Sequence, residues 1–498
     1  MKRIIITLLG AAALLSLNSC SKFLDQKPVS SIITEYFWQS PADAVSSNAA
    51  MYYSFSKAMA NGYFDWGELR GGNWEIYAGR STAKYQEIIN YQTSSLNDAC
   101  YWTNLYQTIN RANLIIKYVS NISKLTPAET NQYLAEAYAM RALCYFYIVR
   151  VWGDAPLFYD PVESFDLENV YRSRVDRKVI LNGIMEDLGI AEMLFPSLTS
   201  SYSTVTTHMN IATVYAMKMD VLAWRHDDGD YQMVADIYEN QLQPLLNTSI
   251  GQINWGFDPV ITVNPPLNQA DFLTAYRGMF SKVSPVTPAR SKEIYFEVNY
   301  NWLENGENNM CLYFSANSGR RLNPTGFADP PTAPACIKPE QYIFLTYEMN
   351  DSRRAATYDL GKGQLLKFWP VGTDWTTTPK SEARLVIYRH ADVVLLYAEA
   401  LNERLRHDEA LYFVNQIRQR ASLPLLQSSD FLDKQTEIRD AILNERRREL
   451  VGEGKYWFDL VRTGNAIKLG GCPDENHYLF PIHQDHLVQN PNLTQNIF

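Results

Sequence analysis

Two stretches of this 498-residue chain carry side chains suited to non-covalent recognition. Residues 61–97 hold Trp66, Arg70, Asn73, Trp74, Tyr77 and Arg80 among several glycines. A later stretch holds Tyr300, Trp302, Asn305 and Asn308 beside Glu304 and Glu307. Flat aromatic faces match the C–H patches of a sugar ring, and planar amide or guanidinium groups match its hydroxyl edges. Such recognition breaks no bond and needs neither a tuned acid nor a nucleophile. The pattern predicts one shallow site built from both loops, with Trp66, Arg70, Asn73, Trp74, Tyr77, Tyr300 and Trp302 contacting the ligand. Each also has a structural reading: loop packing for Trp74 and Trp302, and for Arg70 a salt bridge or bonds to backbone carbonyls.

Other reactive residue types point elsewhere. Glu445, Arg446, Arg447, Arg448 and Glu449 fall on a predicted helix, where they are expected to form i,i+4 and inter-helix ion pairs rather than a phosphate site. His483 and His486 are three apart but lack a third ligand for a metal. Asp227, Asp228 and Asp230 lack calcium-loop spacing and read as a solvated turn. No G-x-S-x-G, phosphate-binding G-x-x-x-x-G-K or H-E-x-x-H signature occurs. No catalytic residue, metal or cofactor is therefore assigned. Scattered carboxylates leave a lipid-anchored glycoside hydrolase as an alternative.

The elements that must position these residues are helical. Apolar residues recurring every three or four positions predict a strong helix over 127–152, opened by Thr126-Pro127 with Glu129 and closed at Gly153. Ser40-Pro41-Ala42-Asp43 marks another helix start. Further helices are predicted over 210–224, 231–242, 384–404, 408–420 and 433–453. Short turns join several into hairpins, with Ala391, Ala398 and Ala410 at the close contacts. The fold class is all-α, a scaffold of irregular tetratricopeptide-like hairpins carrying loop-rich insertions near 61–97 and 251–379. Residues 293–300 alternate weakly and suggest a strand.

Composition is globular: 46% hydrophobic, 20% charged and 13% aromatic, with a net charge of −9 that disfavours a nucleic-acid partner. Lys2 and Arg3 precede a short apolar run, 4–17, which is too short to span a bilayer and reads as a secretion signal over 1–19. Leu17-Asn18-Ser19-Cys20 resembles a bacterial lipobox, which makes Cys20 the lipidated first residue of a tether over 20–28, ahead of a single domain over 29–498. The remaining cysteines form no C-x-x-C pair. Cys144 reads as a core residue, and a Cys311–Cys336 disulfide stays open.

Ordered markers run the length of the chain. They include Phe23-Leu24-Asp25, Gly67-Glu68-Leu69-Arg70, Asn110-Arg111-Ala112-Asn113, Arg141-Ala142-Leu143-Cys144-Tyr145-Phe146 and Trp152-Gly153-Asp154-Ala155-Pro156-Leu157. Tyr388 to Ala400, Val414 to Arg418, Glu445 to Leu450, Trp457 to Arg462, Leu479-Phe480-Pro481-Ile482 and Asn490 to Asn496 follow. Together they resemble the RagB/SusD family of nutrient-binding outer-membrane lipoproteins of Bacteroidetes. The resemblance implies four tetratricopeptide-like units. It also implies a SusC-like TonB-dependent outer-membrane transporter as partner, and a cell-surface role in capturing an oligosaccharide for import. A peptide ligand and a purely structural lid are the alternatives within the family.

Overall fold

The computed structural model describes residues 37–76, 83–163, 170–195, 206–246, 269–281, 291, 293–300, 337–339, 347–359, 364–368 and 383–498. Its helices follow the apolar periodicity, and several begin at side-chain caps. Helix α1 (Pro41–Gly67) opens on a Ser40–Asp43 capping box. A short strand β1 (Trp74–Ile76) and helix α2 (Ala83–Ile89) follow. Next come α3 (Thr103–Tyr118) and α4 (Pro127–Trp152). In α4, Thr126 accepts from the Glu129 amide while the Glu129 carboxylate accepts from the Thr126 amide at 2.8 Å, satisfying two donors that the helix leaves open. Helix α5 spans Arg177–Leu194 and α6 Ile211–Arg225, with Asn210 capping α6. Helix α7 (Asp230–Ile237) continues through a π turn into α8 (Gln243–Leu246).

These helices stack in chain order. α1 packs on α3, α3 on α4, α4 on α5, α5 on α6, and α6 on α7. The later helices α9 (Gln269–Gly278) and α10 (Arg353–Thr357) pack on each other. Then α11 (His390–Glu403) docks on α7 and pairs with α12 (His407–Arg420), and α13 (Lys434–Glu449) covers both. Helices α14 (Tyr456–Arg462) and α15 (Gln484–Gln489) finish the chain. The result is an all-α scaffold of tetratricopeptide-like hairpins. Among the described residues, no helix is long and apolar enough to cross a membrane.

Arg141 explains two of the family-like markers. Its guanidinium forks onto Asp187 of α5 at 2.7 and 2.8 Å and donates to Asn113 of α3 at 2.7 Å, so one side chain of α4 ties three helices together. Glu136 ties α4 to α1, accepting from Asn48 and Tyr52 at 3.0 and 2.7 Å.

The expected helix over 384–404 is divided. Residues Leu385–Arg389 form a strand, β6, paired antiparallel with β2 (Ile294–Val298), and the helix starts at His390. The run Leu385-Val386-Ile387-Tyr388 is rich in β-branched and aromatic residues and is buried throughout, as a strand covered on both faces should be. The expected strand near 293–300 is its partner. Two further antiparallel pairs join β1 to β3 (Ile337–Pro339), and β4 (Tyr358–Asp359) to β5 (Gln364–Leu365).

Under β6 and α13 lies a buried ion network. Glu449 meets Arg353 at 3.0 Å, Arg389 at 2.8 Å and Arg420 at 2.5 Å. Arg389 also meets Glu453 at 2.7 Å, and Lys367 pairs with the same carboxylate. Arg446 bridges Asp392 and Asp459, both at 2.8 Å. The 445–449 cluster thus forms inter-element ion pairs. Despite its desolvation, the surrounding arginines hold the Glu449 carboxyl far below the ordinary carboxylate range.

Candidate ligand-binding site

The segment expected as a long irregular loop over 61–97 is largely structured. Helix α1 runs on through Trp66 to Gly67, and Trp66 is 4% exposed. Its indole donates to the Ala99 carbonyl at 2.8 Å and meets the Trp152 ring edge-on. Trp74 is equally buried, against Phe64, with its indole donating to Glu68 at 3.3 Å. The Asn73 side-chain carbonyl accepts from Arg447 at 2.8 Å. Tyr300 is buried and donates to the Ser56 carbonyl of α1 at 2.6 Å. These four side chains were expected to face a ligand. They are instead core residues packed and hydrogen-bonded against neighbouring elements, although the Asn73 Nδ2 has no hydrogen-bond partner among the described residues. Arg70 follows its structural reading: it lies 4.2 Å from the Trp457 and Phe480 ring centres and donates to the His477 and Tyr478 carbonyls at 3.0 and 3.1 Å.

Tyr77 and Trp302 lie outside the described residues, as do Cys20, Cys311 and Cys336. Their flanks are described, and these converge. Tyr300, two residues before Trp302, is bonded to α1. Strand β3, at the far end of the segment that follows Trp302, pairs with β1, the strand immediately before Tyr77, in the register Trp74↔Pro339, Glu75↔Lys338 and Ile76↔Ile337. Both ends of 301–336 are therefore anchored on the α1–β1 segment.

Sequence reasoning overlooked a groove of about 680 Å³ beside α3. Trp102, Tyr106, Phe158, Tyr171 and His486 supply rings, and Gln107, Asn110, Gln489 and Asn490 supply amides. Tyr106 is fixed by donating to the Pro156 carbonyl at 2.8 Å, and Asn490 by donating to the Arg172 carbonyl at 2.9 Å. Gln107 and Gln489 make no side-chain hydrogen bond to described residues and present amides at the rim. His486 stacks on Trp102, and burial lowers its pKa to about 4, so its ring is neutral at neutral pH. The visible sequence signal was the ring–amide pairing Tyr106-Gln107, one helical turn after Trp102. Of the histidine pair, His483 caps α15 by accepting from the Asp485 amide at 3.1 Å. Asp230, expected to be solvated, is buried and paired with Arg225. Cys100, Cys144 and Cys472 are free buried thiols.

A stack of helical hairpins with ligand-sized recesses beside it is a binding scaffold in its architecture. A model described as "Starch-binding associating with outer membrane" matches residues 22–219, and the SusD family model matches residues 360–472. A SusD-like protein of Formosa agariphila is 29% identical over 100% of this chain and 99% of that one. A SusD-like protein of Bacteroides ovatus is 24% identical over 91% of this chain and 81% of that one. The crystal structure of a SusD homolog from Bacteroides thetaiotaomicron has the same fold, with a TM-score of 0.72 at 21% identity, covering 93% of this chain and 99% of that one. The chain belongs to the SusD/RagB family.

Proposed function

We propose that this chain is a cell-surface, lipid-anchored protein of the outer membrane that captures an oligosaccharide and passes it to a TonB-dependent transporter. The observation that carries the reading is the convergence of the described residues that flank the two aromatic segments. The chain entering Tyr77 and both ends of the segment holding Trp302 are fixed on one frame, α1 with β1. With Trp66, Trp74, Asn73 and Tyr300 withdrawn into that frame, Tyr77 and Trp302 are the residues assigned to the sugar. The groove beside α3 supports a second location for the same chemistry, since its rings and free amides match a pyranose.

The test is calorimetry on soluble protein starting at Ser21, with plant, host and microbial glycans and reducing ends assayed in the same samples. Saturable binding without new ends supports capture. New ends released at catalytic rates, and abolished by mutating a carboxylate pair, would make the protein a hydrolase instead. Once a ligand is found, Tyr77→Ala and Trp302→Ala should weaken it while leaving the melting temperature unchanged. Loss of affinity in Tyr171→Ala alone would move the site to the α3 groove. For the anchor, Cys20→Ala should abolish palmitate labelling and release the protein from the membrane fraction. Labelling that survives the substitution would refute lipidation at Cys20.

A further inference from the structure

Among the described residues, Arg70 is a buried cation without a carboxylate partner. It is 3% exposed, and its Nε and Nη2 atoms have no hydrogen-bond partner among those residues. Every other arginine named above as deeply buried and charge-paired, Arg141, Arg353, Arg389, Arg420 and Arg446, meets at least one acid within 3.0 Å. Ring faces and two carbonyls hold Arg70 in place, but neither neutralises its charge. Burial without a counter-ion pulls its pKa down to about 9. A buried, uncompensated charge is expensive, and the usual remedy is an opposite charge brought close.

Arg70 lines a recess of about 260 Å³, separate from the α3 groove, whose walls include Gln92, Thr93, Ser94, His477 and Phe498. Among the described residues, no Asp or Glu is part of that wall. His477 is paired with Asp474 at 2.9 Å, which draws that acid toward the imidazole rather than toward Arg70. Ser94 and Tyr91, both in that wall, are held in place: the Ser94 hydroxyl donates to Glu87 at 3.1 Å, and the Tyr91 hydroxyl accepts from the Gly71 amide at 3.0 Å. The cradle is thus preformed, cationic at its base and polar at its wall. Its volume is just below the ~300–1,000 Å³ typical of ligand pockets, which suits a group no larger than one sugar acid or one terminal amino acid.

We propose that the Arg70 recess binds a carboxylate group of a small ligand, with the guanidinium as its counter-ion. Two sources share that chemistry, an acidic sugar and a peptide C-terminus. The site does not depend on where a neutral oligosaccharide binds, so glycan capture and this proposal can fail separately.

The experiment is thermal melting of the soluble protein at constant ionic strength with glucuronate or N-acetylglycine, each against its neutral counterpart, glucose or N-acetylglycinamide. The expected result is a saturable rise in melting temperature with one or both carboxylates and none with the neutral partners; the stronger carboxylate identifies the source. Arg70→Gln should remove the effect but could also unfold the protein. Thr93→Phe therefore serves as the second variant, because Thr93 makes no side-chain hydrogen bond to described residues and a phenyl ring there fills the recess. It should fold, and its melting temperature should not respond to carboxylate. Equal responses to charged and neutral partners, no response at all, or a carboxylate response that survives Thr93→Phe would overturn the proposal.

Discussion

Glu449 shows how much of this molecule rests on single charged side chains. Its carboxylate meets three arginines, and its backbone carbonyl accepts from Lys367 at 2.9 Å and from Tyr276 at 3.0 Å. Glu449→Gln keeps the shape but leaves those guanidiniums short of one negative charge. Removing one partner of a buried pair costs about 3–5 kcal/mol, so denaturant unfolding of the variant should show a loss of that size. A loss below about 1 kcal/mol, the range of exposed pairs, would mean that water reaches the cluster. Glu68 behaves in the opposite sense. It accepts from the Gly452 and Gly454 amides at 2.9 and 3.2 Å, yet burial dominates and lifts its carboxyl to about 7. An acid whose pKa is raised on folding binds its proton more tightly in the native state, so stability falls as pH rises from about 4.5 to about 7. Glu68→Gln lacks that proton. Its stability relative to wild type should therefore improve across the same window. A gap between the two proteins that stays constant with pH would contradict the burial argument.

At the scale of elements, the helix starts that carry a capping box were legible because a cap is local chemistry. Ser40 with Asp43, and Thr126 with Glu129, satisfy open backbone amides within four residues of sequence, and no distant partner is needed to recognise them. Trp66 was misassigned for the converse reason. Glycine and aromatic residues around position 62 look like a loop, but Gly62 is small so that the Trp66 ring can lie on it: a Cβ there would sit 2.4 Å from that ring. Likewise a Cβ on Gly67 would sit 2.0 Å from the Gly454 carbonyl, a contact across nearly the whole chain that no local window contains. The strand 385–389 was hidden because it is buried on both faces and shows no alternation, so its type was decided by its partner β2. The core position of Trp66 and the proposed ligand role of Trp302 make different measurable predictions. Trp66→Ala should cost about 3–5 kcal/mol of stability, as expected for a large buried ring. Trp302→Ala should leave the melting temperature unchanged and act on ligand affinity. If Trp66→Ala melted like wild type, the core position assigned to it would be wrong.

At the scale of the whole molecule, the end of the chain closes the stack of repeats. The Phe480 amide donates to the Val151 carbonyl at 2.7 Å, and the Trp152 indole to the Pro481 carbonyl at 3.1 Å. Asn496 then locks the crossing by donating to the Trp152 and Phe480 carbonyls at 3.0 and 2.8 Å, while Gln495 exchanges two bonds with Ile482 at 2.7 and 2.8 Å. Arg174 grips the same segment through the Thr494 carbonyl at 2.9 Å. These bonds explain why Trp152 to Leu157, Leu479 to Ile482 and Asn490 to Asn496 stood out together in the sequence: they are one junction, seen in three pieces. Each net hydrogen bond contributes about 0.5–1.5 kcal/mol, so removing residues 490–498 should destabilise the fold by several of these increments. Because the segment ties the end of α4 to the stretch 480–486, the truncated protein should also lose cooperativity, with α3 and α4 becoming accessible to hydrogen exchange before α11 to α13. Amide exchange on the truncated and full chains tests this directly. Uniform acceleration across all helices would show that the tail adds stability without holding the first repeats in place.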